Sequence, residues 1–144
     1  MIEKIIYKKK LLALIVRTKK NKKTGVNFVS PKSFTLQAGL MNHHKNHIIK
    51  PHKHKKHHRK IKQTCEALFI KKGKLRVDFY NNNQNYLFSK VLAKYDLIIL
   101  NDGAHGFKIE KNCEMIEIKQ GPYIGSRDKV RFEKIDEKKI KIKK

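Results

Sequence analysis

Short apolar runs alternate with polar turns along most of the chain, and this pattern predicts β-strands. The clearest run is 74–80, in which Leu75, Val77 and Phe79 face one side and the residues between them face the other. Further strand-like runs lie at 11–16, 26–29, 66–71, 86–92, 97–100, 105–110 and 113–119. Because these runs recur about every 8–12 residues between turn signals, they favour an all-β sandwich or barrel.

Turn signals and chain breaks mark the limits of the predicted strands. We expect turns at 72–73, 81–85, 94–96, 101–103 and 111–112, and a break at Gly121-Pro122. Residues 130–132 could close the sheet, and 133–144 are either a weak strand or a frayed basic tail. The length of 144 residues suits one domain, divided into a basic N-terminal extension (1–37), a barrel (38–132) and a basic C-terminal tail (133–144).

The net charge points to anionic partners. Lys and Arg total 36 against 12 Asp and Glu, which gives a formal charge of +24. Such an excess suits nucleic acid, acidic membrane surfaces or phosphorylated small molecules. Lys, Ile and Asn are all abundant and share AT-rich codons, so codon composition is an alternative source of the charge that stays open. No helix-turn-helix, zinc-finger or RNP signature is present, which disfavours nucleic acid as the partner.

Several other classes are excluded by the pattern. No apolar run approaches the roughly 20 residues of a membrane span, and the N-terminus lacks the pattern of a signal peptide. The two cysteines, Cys65 and Cys113, do not form a CxxC motif, so we expect free thiols in a reducing cytoplasm.

Histidine is concentrated in one segment. Seven of the eight histidines lie between His43 and His58, and the eighth is His105. On a strand, His52 and His54 would face the same side and could reach one point together. With Glu66 and His105 they would form a ligand set for a divalent transition metal. The alternative is a His-rich surface loop that binds metals weakly.

These residues give the chain a resemblance to the cupin superfamily. His52-Lys53-His54, with Glu66 separated from Gly73 by six residues, is similar to the first cupin motif, although residues 55–65 form an insertion. Tyr95-Asp96, the apolar run 97–100, Asn101-Asp102-Gly103 and His105 are similar to the second motif. The resemblance covers roughly 38–119. It implies a jelly-roll barrel in which Zn, Fe, Mn or Ni is bound by His52, His54, Glu66 and His105, with Glu66 and His105 also moving protons.

Three segments resemble small cupins found with surface-polysaccharide and nucleotide-sugar genes. They are 67–80, 103–107 and 117–123. This resemblance implies a carbohydrate enzyme acting on a small anionic substrate such as a nucleotide sugar. Candidate substrate contacts are Arg76, Tyr80, Lys119 and Tyr123.

Two other functions stay open. In one, the protein is a sugar isomerase or epimerase whose histidine moves a proton without a metal. In the other, it is a basic binding protein for nucleic acid or a small ligand. By fold analogy, the segment through Val29 could add a strand to a partner sheet and form a homodimer.

Overall fold

The structure is a computed structural model that describes residues 1–18 and 23–144. Within these residues the chain forms eight β-strands, two short 3-10 turns and no α-helix. The strands are β1 (Ile2–Tyr7), β2 (Lys10–Arg17), β3 (Gly25–Phe28), β4 (Gly39–Asn42), β5 (Glu66–Tyr80), β6 (Tyr86–Ala93), β7 (Asp96–Leu100) and β8 (Ala104–Lys119). The 3-10 turns are Gly125–Asp128 and Glu137–Lys139. The prediction of an all-β protein is confirmed.

Six strands form one antiparallel sheet that curls into a half-barrel. The order is β1-β2-β7-β5-β6, with β8 pairing along the other side of β5. The first half of β5 lies between β7 and β8, and its second half lies between β6 and β8. β3 and β4 form a separate two-stranded ribbon. The N-terminal strands β1 and β2 are therefore part of the main sheet, joined to it through β7.

The predicted turns at 72–73 and 111–112 are wrong, because β5 and β8 each continue through them. The two sites face each other, and the pairing of the strands is irregular there. Gly73 has a φ of +83°, and a Cβ at this position would lie 2.0 Å from the carbonyl oxygen of Asn112. The glycine therefore serves a bulge in which two backbones approach closely, rather than a chain reversal.

Both faces of β2, β7 and the first half of β5 are buried, which explains unbroken apolar runs such as 97–100. Ile15, Leu68 and Ile98 pack in a core cluster with Leu75, Val77, Phe79 and Leu92. The neighbouring residues Leu14, Ala67 and Ile99 belong to a second cluster, which the segment 29–40 covers with Val29, Phe34, Leu36, Ala38 and Leu40. Cys65 is a buried free thiol in the second cluster, and Cys113 is also free.

The C-terminal segment is docked onto the sheet rather than frayed. Ile142 forms a parallel bridge with Ser89 of β6, and the Ile135 N–H donates to the Tyr80 hydroxyl at 3.1 Å. Residues 130–132 form no strand. No helix in the described part of the chain is both long enough and apolar enough to cross a membrane.

Candidate acid–base site

The curl of β5 brings its two ends to the same turn. Its first residue, Glu66, pairs with Leu100 at the end of β7, and its last, Tyr80, pairs with Ala104 at the start of β8. Residues 101–103 connect these two points. Gly103 has a φ of +75°, and a Cβ there would lie 2.7 Å from the Tyr80 carbonyl oxygen, so the turn requires glycine. This tight turn places His105 beside Glu66.

Glu66 and His105 form a partly buried hydrogen-bonded pair. His105 Nε2 lies 3.1 Å from Glu66 Oε2, and Lys129 Nζ lies 3.3 Å from Glu66 Oε1. The Glu66 side chain is 8% exposed and that of His105 is 25% exposed. The hydrogen bond from His105, helped by the charge of Lys129, lowers the pKa of Glu66 to about 2 against the opposing effect of burial. Glu66 is therefore ionised at neutral pH.

The ionised carboxylate fixes the tautomer of His105. A carboxylate only accepts hydrogen bonds, so Nε2 of His105 must be the donor. In the neutral imidazole the lone pair is then on Nδ1, which is the nitrogen able to take a proton. A carboxylate that orients an imidazole in this way also stabilises the imidazolium formed after proton transfer.

The pair borders an open cleft with a volume of about 480 Å³. One wall is the turn and the start of β8, a second is 62–64, and a third is formed by residues between Ile124 and Phe132. The cleft carries three cationic side chains, Lys62, Arg127 and Lys129, and the acids Glu66 and Asp128. Asp128 is paired with Lys119 at 2.8 Å, and this hydrogen bond raises the pKa of Lys119. Lys129 is paired with Glu66, whereas Lys62 and Arg127 form no ion pair among the described residues and favour a negatively charged ligand.

The structure brings together two of the four predicted metal ligands and leaves the other two apart. His52 and His54 are exposed, lie in a segment without regular secondary structure, and contact each other with ring centroids 5.4 Å apart. Across residues 1–18 and 23–144, no three His, Cys, Asp or Glu side chains are grouped closely enough to hold one metal ion. The described residues therefore do not fit the metal site that the cupin resemblance implies.

The predicted substrate contacts have other roles. Arg76 is 4% exposed and is held by Asp78 and Glu137, and Tyr80 is buried against Phe132 with ring centroids 5.1 Å apart. Burial raises the pKa of the Tyr80 hydroxyl. Lys119 is occupied by Asp128 and lies 4.8 Å from the centroid of the exposed Tyr123 ring. None of these four residues lines the cleft around His105.

Sequence reasoning missed the cations of the cleft. Lys62, Arg127 and Lys129 belong to no recognisable motif, and with 36 Lys and Arg in the chain no residue is distinguished by its type. Lys129 is identified as a cleft residue only by the fold, because the segment 121–132 passes the Glu66 side chain.

No protein-family model, curated protein or solved structure matches the chain. The geometry of the site itself is therefore the basis for the function proposed below.

Proposed function

We propose that the protein is a small cupin-like isomerase or epimerase that moves a proton on an anionic carbohydrate, such as a nucleotide sugar or sugar phosphate. The observation that carries this proposal is the hydrogen bond between Glu66 and His105 at the edge of a cleft with cationic walls. The jelly-roll barrel implied by the resemblance is part of the same proposal, and the curled all-β sheet is compatible with it.

His105 acts as the general base in this proposal. Its Nδ1 removes a proton from the carbon next to a carbonyl group, and the electron pair of the C–H bond moves to form an enediolate. Glu66 stabilises the resulting imidazolium, and Arg127 or Lys129 stabilises the negative oxygen. Return of the proton to the neighbouring carbon, with transfer of the hydroxyl proton from one oxygen to the other, gives an isomer. Delivery of a proton by a second acid to the opposite face of the same carbon gives an epimer. The remaining cation at the rim, Lys62, is placed to bind a phosphate.

No step in this scheme passes through a metal ion, because His52 and His54 lie apart from the pair. General acid–base catalysis of this kind typically contributes about 10²–10⁴-fold in rate. We therefore expect exhaustive chelation to leave the activity unchanged.

The test is a screen for solvent hydrogen exchange. Keto-nucleotide-sugars and sugar phosphates are incubated with the protein in D₂O, and the loss of a carbon-bound proton signal is followed by nuclear magnetic resonance. Wild type should exchange one proton on its substrate, and His105→Ala should lose at least about 100-fold in rate. The matched control is the double variant His52→Ala with His54→Ala, which should keep the wild-type rate. Equal exchange by His105→Ala, or loss of exchange in the control, would overturn the proposal.

A further inference from the structure

A basic arm, residues 43–62, lies outside the acid–base site and has no regular secondary structure. It contains eight Lys or Arg, seven His and no acidic residue among its 20 residues. Every residue of the arm except the partly buried His43 is exposed. Mutual repulsion of so many like charges keeps such a segment open to solvent and surrounded by counterions.

The charge of the basic arm is not neutralised by the rest of the described chain. Among the described residues, nine acidic side chains form ion pairs, all with basic residues outside the arm. They are Glu3, Glu66, Asp78, Asp96, Asp102, Glu110, Glu114, Asp128 and Glu137. None of the ion pairs found among the described residues includes a lysine of the arm or Arg59. The arm therefore has eight cations available to an external polyanion.

One end of the arm forms part of a concave basic surface. Arg59 and Lys60 return to the segment 32–37 and border an open cavity of about 630 Å³. Its other lining residues are Lys32, Phe34, Thr35 and Gln37, so three cations and two neutral hydrogen-bonding side chains converge without a carboxylate. This cationic lining suits a phosphate group.

We propose that the basic arm is a nucleic-acid-binding element that contacts the phosphate backbone without reading the base sequence. Lysine and arginine that neutralise phosphates gain affinity by releasing counterions. The arm also presents planar rings, among them His43 and His47, which stack with centroids 4.2 Å apart. Bases of single strands can stack on rings of this kind. An acidic membrane fits the arm less well than nucleic acid does. The arm has few large apolar side chains, which are Ile48, Ile49 and Ile61, and it forms no amphipathic helix that could enter a membrane surface.

The experiment compares two variants of equal charge in the full chain. The arm variant replaces the arm's cations with Gln at Lys45, Lys50, Lys53, Lys55, Lys56, Arg59, Lys60 and Lys62. The matched variant replaces eight exposed lysines outside the arm with Gln at Lys4, Lys8, Lys9, Lys74, Lys94, Lys111, Lys134 and Lys139. Each variant has a formal charge of +16, eight below the wild-type +24. Circular dichroism checks that both remain folded.

Binding is measured by fluorescence anisotropy with a single-stranded DNA of 30 nucleotides at salt concentrations from 50 to 200 mM. If each of the eight cations neutralises one phosphate, log K falls with log salt at a slope of about −5.6, or about 10³-fold in affinity over this range. The arm variant should bind at least 100-fold more weakly with a shallower slope, whereas the matched variant and His105→Ala should stay within about fivefold of wild type.

Three outcomes would overturn the inference: no binding by wild type at 50 mM salt, an equal loss of affinity in the two variants, or binding to phosphatidylserine vesicles but not to DNA. Because His105→Ala is expected to bind DNA normally, failure of the arm and failure of the acid–base site can be distinguished.

Discussion

Arg76 supports a buried ion-pair network that fastens the C-terminal segment to the sheet. Its Nε and Nη2 donate to Asp78 at 2.8 and 3.1 Å, and Nη1 and Nη2 donate to Glu137 at 2.8 and 2.9 Å. The hydrogen bonds that Arg76 donates to Glu137 and Asp78 raise the pKa of Arg76 against burial, and the hydrogen bonds from Arg76 and Lys108 lower the pKa of Glu137 to about 2. We predict that Arg76→Met is strongly destabilising because it leaves the Asp78 carboxylate buried without a cation.

The magnitude follows from the burial of Asp78, which is 5% exposed. In Arg76→Met only the Ser89 hydroxyl still donates to this carboxylate among the contacts of the described residues. Removing one partner of a buried ion pair costs about 3–5 kcal/mol of unfolding free energy. Glu137 lies closer to solvent and can be hydrated, so its loss of Arg76 adds little. With a urea m-value of about 2 kcal/mol/M, the unfolding midpoint should fall by about 2 M.

Urea unfolding followed by circular dichroism measures this effect. Arg131→Met is the matched control, because Arg131 is exposed, and it should change the unfolding free energy by less than about 0.5 kcal/mol. The double variant Arg76→Met with Asp78→Asn should be more stable than Arg76→Met alone, since it removes the uncompensated charge. A cost below about 1 kcal/mol for Arg76→Met, or a further loss in the double variant, would refute the reasoning.

Two further predictions concern acid stability and the bulge. Because the pKa of Glu66 is lowered to about 2 in the folded state, its contribution to stability is present above the ordinary value of 4.5 and is lost as the pH falls through about 2. In Glu66→Gln, the unfolding free energy should therefore fall less between pH 4.5 and 2 than in wild type, by up to about 3 kcal/mol. Denaturant unfolding at several pH values measures this difference, and a pH profile identical to that of wild type would contradict the assigned pair. Gly73→Ala should cost about 2–3 kcal/mol because its Cβ meets the Asn112 carbonyl, whereas Gly25→Ala, with a φ of +85° and open space around it, should cost about 1 kcal/mol. Equal thermal shifts in these two glycine variants would show that the close contact is not rigid.

The sequence predicted the strands well because their signals are local. The alternation at 74–80 and the apolar run at 97–100 each lie inside an observed strand. The bulge at Gly73 was missed because a glycine marks a turn and a close backbone approach equally well. The docked tail was missed because the contact of Arg76 with Glu137 joins residues far apart in the chain. No local pattern encodes such a pairing.

The candidate site was predicted in part. Glu66 and His105 were grouped as metal ligands from their residue types and from the cupin resemblance, and the structure places them in hydrogen-bond contact. His52 and His54 were grouped with them on spacing, but the strand that would direct both rings to one point does not form in 43–62. The many like charges of that segment repel one another, and the segment has no apolar face that packing against the sheet could bury. A strand there would therefore not be stabilised.

The tautomer of His105 tests the central claim most directly, and it can be measured without knowing the substrate. Long-range proton–nitrogen correlation spectra are recorded at a pH well above the ordinary imidazole pKa of about 6.5, with the His105 signals identified by their loss in His105→Ala. The account predicts that Nε2 carries the proton and Nδ1 the lone pair in wild type, and that Glu66→Gln yields a mixture of tautomers. A proton on Nδ1 of His105 in wild type, or a tautomer unchanged by Glu66→Gln, would contradict it.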